Sequence, residues 1–162
     1  MQRIFIAIFS LLLLSCNSHA QDSKNQKEYP VSKSEAQWKA ELSPAAYKVL
    51  RQKGTEKAFS SELNRIEQPG TFVCAACGNE LYETKNKFES GTGWPSFDRP
   101  VSESNVDYRP DRTGGFPATE VVCAQCGGHL GHVFNDGPKN TTGKRHCING
   151  VAMNFLPESD NR

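Results

Sequence analysis

Cys74-Ala75-Ala76-Cys77-Gly78 and Cys123-Ala124-Gln125-Cys126-Gly127 repeat one short pattern, C-x-x-C-G, at two distant places in the chain. In each, the glycine after the second cysteine permits the tight turn that aims two sulfurs at one point. Two such knuckles supply four thiolates, the donor set of a closed tetrahedral zinc site. Such a site adds folding free energy and keeps no open position for substrate. Two other readings compete. A pair of disulfides suits an oxidising compartment, and a C-x-x-C can be a thioredoxin-like redox pair, though that needs a βαβ setting with the motif opening a helix, which neither pair has. The doubled knuckle favours one structural zinc ion on Cys74, Cys77, Cys123 and Cys126, clipping two hairpins together.

The residues around the knuckles have the texture of strands. Thr71-Phe72-Val73, Lys87-Phe88-Glu89, Glu120-Val121-Val122 and the run 151–156 are short β-prone stretches, broken every few residues by glycine, proline and Asn/Asp clusters. That spacing predicts a mainly β, antiparallel body beyond Gly70. Ahead of it, Ser34 with Gln37 forms a capping box for a short helix to about Glu41, with Trp38 and Leu42 on one face. Ser43-Pro44 opens a second helix with Tyr47 and Leu50 inward and Gly54 as its stop. Both helices are expected to pack on a sheet.

The chain of 162 residues, 36% hydrophobic and 23% charged, has room for one globular domain. Its first residues, Arg3 followed by an apolar run from Ile4 to Leu14, form an export signal (1–15) too short to span a bilayer as a helix. Leu13-Leu14-Ser15-Cys16 resembles a bacterial lipobox with Cys16 lipidated, and Ser18-His19-Ala20 offers the alternative of ordinary cleavage after Ala20. The expected location is the bacterial cell envelope, lipid-anchored on the periplasmic side, or soluble periplasm if cleavage occurs after Ala20. Residues 16–33 read as a polar tether, 34–158 as the domain and 159–162 as a tail. The formal charge of +1 includes Arg3 and no acid from the signal, so the mature chain stands at +1 − 1 = 0. A neutral chain gives no electrostatic basis for nucleic acid or an acidic membrane surface as partner.

Of six cysteines, four belong to the knuckles and Cys16 is removed or lipidated, which leaves Cys147 in Arg145-His146-Cys147-Ile148-Asn149 as the candidate working atom. As a strand, this run puts Arg145, Cys147 and Asn149 on one face, and a guanidinium beside a thiol favours the thiolate. The run 127–136 follows the second knuckle and carries His129, His132 and Asp136. Its glycines argue for a turn, and a metal-fixed loop can hold imidazoles as acid, base or donors. Gly91-Thr92-Gly93-Trp94-Pro95-Ser96-Phe97 sets Trp94 in a rigid loop, either as a core plug or as the wall of a site.

Taken in order, the two knuckles, Gly93-Trp94-Pro95-Ser96-Phe97, the segment 128–134 and Arg145 to Asn149 resemble the methionine sulfoxide reductase B family, from about Ser34 to Pro157. The resemblance implies a two-sheet β-tent fold of the Mss4-like kind, with zinc remote from the chemistry. It implies Cys147 as the nucleophile that attacks the sulfur of methionine R-sulfoxide in oxidised proteins, leaving a sulfenic acid. It further implies that His129, His132 and Asp136 hold and protonate the sulfoxide oxygen, that Arg145 and Asn149 support the thiolate, and that Trp94 walls the substrate methyl group. Many family members carry a recycling cysteine where this chain has Thr92. The sulfenic acid is therefore expected to need an external reductant, a thioredoxin-like protein or small thiol, and the protein is expected to be a monomer. A zinc-clipped binding module without catalysis and a C-x-x-C thiol-disulfide oxidoreductase are the competing classes.

Overall fold

The computed structural model describes residues 27–159; the expected export signal, the Cys16 and Ala20 alternatives and the end of the expected tail lie outside them. Among the described residues, two helices precede nine strands. Helix α1 is Glu35–Glu41 and α2 is Pro44–Gln52. The strands are β1 Gly70–Cys74, β2 Glu80–Glu83, β3 Lys87–Phe88, β4 Ser96–Phe97, β5 Val106–Asp111, β6 Ala118–Cys123, β7 His129–Phe134, β8 Arg145–Ile148 and β9 Met153–Pro157. They form a three-stranded sheet, β2-β1-β9, and a six-stranded sheet, β3-β4-β8-β7-β6-β5. Every pairing is antiparallel. The expected mainly β architecture with short N-terminal helices is therefore what forms.

The helices start where the caps say. The Ser34 hydroxyl accepts from the Gln37 N–H at 3.3 Å while the Gln37 side chain accepts from the Ser34 N–H at 2.9 Å, and Ser43 caps α2 through the Ala46 N–H at 3.2 Å. Trp38 is buried from α1. In α2 the buried residues are Ala46, Val49 and Leu50, and Tyr47 stays half-buried at the rim. The helix ends one residue before the expected stop, with Lys53 in the left-handed conformation (φ 55°). Helix α2 packs on β7 and on the 3-10 turn Gly150–Ala152.

The two sheets meet through aromatic rings. Phe97 of β4 stacks on Tyr82 of β2 at 4.3 Å between centroids and meets Phe72 of β1 edge-on at 5.0 Å. All three are fully buried, so this trio is the hinge pin of the core. The knuckles join the sheets a second time. β1 and β6 each carry an irregularity in register just before their terminal cysteine, between Phe72 and Val73 and between Val121 and Val122. Such a bulge twists the strand and re-aims the residues beyond it. The turns after them match: Gly78 N–H donates to the Cys74 carbonyl and Gly127 N–H to the Cys123 carbonyl, both at 2.8 Å. Gly78 and Gly127 take φ of 75° and 68°, the left-handed geometry the C-x-x-C-G pattern asked of them.

The stretch expected to be a tether is docked from Lys27 onward. Val31 N–H donates to the Gln125 carbonyl at 2.8 Å, Lys27 pairs with Asp107 at 2.6 Å, and Tyr29 lies over Gly127 with Arg109 against its ring and hydroxyl. Polarity alone hid this, because a backbone donor, one aromatic ring and one charge pair suffice to hold a segment that has no apolar periodicity.

Candidate active site

Cys147 lies on β8, directly opposite Ser96 of β4 and His132 of β7. It opens into a cleft of about 160 Å³ lined by Thr55, Trp94, Gly131, His132, Phe134, Cys147 and Asn149. None of the four knuckle cysteines lines it. Trp94 is thus a wall of the cleft, fixed by its indole N–H donating to the Glu56 carbonyl at 3.2 Å.

The run 127–136 is a strand from His129 onward, and this corrects the expectation of a turn. Gly131 is small because β8 is close. A Cβ there would overlap the carbonyl oxygen of Cys147, which is the close-approach role of a strand glycine. Only His132 of the two histidines reaches the cleft. Its Nε2 is 2.8 Å from Asp111 Oδ2. Backbone and hydroxyl donation from Thr113, with His132, holds the Asp111 carboxyl well below the usual range. His129 is buried behind, its ring edge-on to His132 at 5.5 Å. Its Nδ1 is 2.9 Å from Glu120 Oε1, and burial pushes its pKa down, so the ring is a neutral donor to the carboxylate. Glu120 itself is 1% exposed. Burial would raise its carboxyl, but Lys53 at 2.8 Å and His129 together hold it below the ordinary value.

Asp136 stands on Arg145 rather than at the imidazoles: Nε to Oδ1 is 2.9 Å and Nη2 to Oδ2 is 2.8 Å, a bidentate pair. Arg145 also lies over the Phe134 ring at 4.5 Å. The Arg145 guanidinium does favour the Cys147 thiolate, as expected, but it is not the largest influence on the thiol. Burial raises the Cys147 thiol above its ordinary value, outweighing the lowering by Thr92 and by an Arg145 already committed to Asp136. Asn149 lines the cleft, but its amide is spent on architecture. It donates to the Leu130 carbonyl at 2.9 Å and accepts from the Glu56 N–H at 2.9 Å. The Glu56 carboxylate in turn accepts from Gly150 and Val151 N–H at 2.6 and 2.9 Å. Glu56, Asp111 and Glu120 are the residues that sequence reading missed. Glu120 left one trace, a carboxylate inside the β-prone run Glu120-Val121-Val122.

At the other end of β7, the Sγ atoms of Cys74, Cys77, Cys123 and Cys126 all lie within 4.8 Å of one another. Cys74 to Cys126 is 3.8 Å and Cys77 to Cys123 is 3.5 Å. Four sulfurs at about 2.3 Å from a tetrahedral zinc are about 3.8 Å apart, so the cluster fits a metal ion. All four are free thiols.

A family model described as the SelR domain matches residues 42–157. The chain is 52% identical over 130 residues to the peptide methionine sulfoxide reductase MsrB of Leptospira interrogans, covering 80% of this chain and 98% of that one. This chain belongs to the methionine sulfoxide reductase B family. The MsrB of Bradyrhizobium diazoefficiens is 55% identical over 128 residues (79% of this chain, 91% of the relative). That of Methanosarcina barkeri is 52% identical over 132 residues (82% and 92%). The methionine sulfoxide reductase B match thus covers both helices' junction, both knuckles, the cleft and the strand that carries Cys147.

Proposed function

We propose that this chain reduces methionine R-sulfoxide in oxidised proteins to methionine, with the Cys147 thiolate as nucleophile. The observation that carries the reading is Cys147 in an apolar-walled cleft, cross-strand from His132, in a chain whose relatives bear the name peptide methionine sulfoxide reductase. A sulfoxide oxygen leaves sulfur only as it is protonated, so the site needs a thiolate and an acid together. Trp94 and Phe134 give the substrate's methyl and methylene groups an apolar wall. Asp111 fixes the orientation of the His132 ring through Nε2, so a proton on Nδ1 is the one available to the substrate.

In the proposed step the Cys147 thiolate forms a bond to the sulfoxide sulfur and a proton is added to its oxygen. The sulfoxide S–O bond and the new S–S bond then break, the oxygen passes with its proton to Cys147 as a sulfenic acid, and the electron pair of the S–S bond stays on the sulfur of methionine. Cys147 is oxidised and the substrate reduced by two electrons. Because Thr92 stands beside Cys147, at 3.8 Å, in place of a thiol, an external thiol displaces water from the sulfenic acid. A second thiol equivalent then frees Cys147 as a disulfide of the reductant forms. Arg145, steadied by Asp136, supports the thiolate, and His129 backs His132.

We assign zinc to the four-cysteine cluster; it would contribute folding free energy, and four protein ligands would leave it no position for substrate. We read residues 1–15 as an export signal and propose that the chain works on envelope proteins, with lipidation of Cys16 as the anchor; intact mass of the mature protein distinguishes this from cleavage after Ala20. The test of the activity is turnover of separate R and S epimers of an N-blocked methionine sulfoxide with dithiothreitol. R-only reduction that Cys147→Ser abolishes is expected. Folded, metal-loaded protein that reduces neither epimer overturns the reading.

A further inference from the structure

Three hydroxyls stand in a row behind Cys147. Ser96 Oγ is 2.7 Å from Ser90 Oγ, Ser90 Oγ is 2.8 Å from Thr92 Oγ1, and Thr92 Oγ1 is 3.8 Å from Cys147 Sγ. Ser96 is 1% exposed and its hydroxyl also reaches the Trp94 carbonyl at 3.0 Å. We infer that Ser96 and Ser90 are positioning residues that set the direction of the Thr92 hydroxyl, which accepts from the resting Cys147 thiol and donates to the thiolate.

The direction comes from counting hydrogens, since each hydroxyl has one to give. A carbonyl oxygen only accepts, so Ser96 spends its hydrogen on Trp94. Ser90 must then donate to Ser96, and Thr92 must donate to Ser90. Thr92 has nothing left to give Cys147 and can only accept the thiol S–H. The Thr92 backbone N–H, 3.4 Å from Ser90 Oγ, occupies the second acceptor position of Ser90 and completes this arrangement. Reversal is equally consistent: Ser96 turns from the Trp94 carbonyl to Ser90, Ser90 donates to Thr92, and Thr92 donates to the sulfur. Only the bond to the Trp94 carbonyl is lost, and a charge-assisted one to the thiolate is gained. The row therefore has two polarities, one matched to the thiol and one to the thiolate. Its resting polarity is set by the main chain of Trp94, a wall of the cleft.

The charged groups around Cys147 come from elsewhere. Arg145 shares its strand and is paired with Asp136. His132, held by Asp111, faces it from β7, and the Glu56 carboxylate beside Thr55 is tied to the N–H groups of Gly150 and Val151. The segment from Ser90 to Ser96 contributes hydroxyls and an indole but no titratable charge.

The inference rests on Cys147 being the reactive thiol, and its test needs no sulfoxide, so it fails separately from the proposed reaction. The pH dependence of Cys147 alkylation by iodoacetamide is tracked by mass in the full, metal-loaded chain. Ser96→Ala frees the row to donate to the thiolate and should lower the midpoint by roughly 0.5 to 1 pH unit, about the weight of one hydrogen bond. Thr92→Val removes the donor and should raise the midpoint, and Thr92→Ser should restore the wild-type value. Ser90→Ala, which also releases Thr92, is the second route to a lowered midpoint. Unchanged midpoints, or shifts of the same sign for Ser96→Ala and Thr92→Val, would overturn the inference.

Discussion

His146, the neighbour of Cys147 on the opposite face of β8, should make the stability of this domain steeply sensitive to mild acid. Its side chain is fully buried. Nδ1 is 3.1 Å from the Tyr82 hydroxyl, and Nε2 is buried without a hydrogen-bond partner among the described residues. Burial, opposed by Glu103 and Asp98 and reinforced by Lys144, lowers its pKa from 6.5 to about 4. The ring is therefore neutral in the fold and more readily charged in the unfolded chain. Stability from this group is fully present above the unfolded value of 6.5. It falls as the pH drops through that value and is gone below about 4. At about 1.4 kcal/mol per pH unit, the whole displacement is worth about 3 kcal/mol, a large share of the 5 to 15 kcal/mol that holds a typical domain.

The check is urea unfolding at half-unit steps from pH 7.5 to 4, for wild type and His146→Asn, which keeps a polar group near the Nδ1 position and does not titrate. The variant starts lower at pH 7.5 because it leaves a cavity, but the difference should narrow by about 3 kcal/mol on the way down. His129, also lowered by burial, contributes to both proteins equally, as does the thiolate cluster, and the difference cancels them. Parallel stability curves across this window would refute the buried-neutral assignment of His146.

Other outcomes depend on particular contacts. Stripping the metal with a chelator, or Cys77→Ala, should lower the thermal midpoint and loosen both sheets; identical melting of metal-free and metal-loaded protein would show the cluster to be incidental. Gly131→Ala should destabilise by about 1 to 3 kcal/mol, because the added methyl overlaps the Cys147 carbonyl. The same push should depress turnover with R-sulfoxide more than a distant variant of equal stability does. Thr92→Cys should convert the resolving step: after one turnover without reductant, the introduced thiol and the Cys147 sulfenic acid should condense to a disulfide with loss of water. Wild type should instead give a sulfenic acid trapped by dimedone. No disulfide in the variant would mean that the 3.8 Å approach of Thr92 to Cys147 is not productive.

What the sequence made legible was local. The capping box of α1, the Ser43 cap of α2, the C-x-x-C-G turns and the strand around Cys147 each depend on residues within a few positions of one another, and each formed as read except that the strand stops at Ile148, one residue short of Asn149. What it hid was register. Asp111 meets His132 only because β6 brings β5 and β7 into one sheet, and Glu120 reaches His129 across the irregularity between Val121 and Val122. No spacing along the chain encodes either pair. Glycine misled for a related reason. Gly127 permits a turn and Gly131 permits close contact with β8, and the two uses look alike in a string. Arg145 was read from adjacency to Cys147 and does favour its thiolate, but adjacency could not show that Asp136, nine residues upstream in sequence, shares the guanidinium or that burial of the thiol outweighs it.

These register effects explain why the metal cluster and the cleft are separate yet dependent. β7 begins two residues after Cys126-Gly127 and carries His129, Gly131, His132 and Phe134 in succession. The second knuckle therefore fixes where that strand starts. With a period of two, a slip of one residue along β8 would send His132 to the other face of the sheet. The aromatic trio Phe72, Tyr82 and Phe97 anchors β4, which brings Ser96 opposite Cys147 from the other side. Cys147 is thus held between one strand registered by the second cysteine knuckle and another registered by aromatic packing. A metal on the four cysteines would for that reason govern how well Cys147 and His132 are aligned without lining the cleft itself.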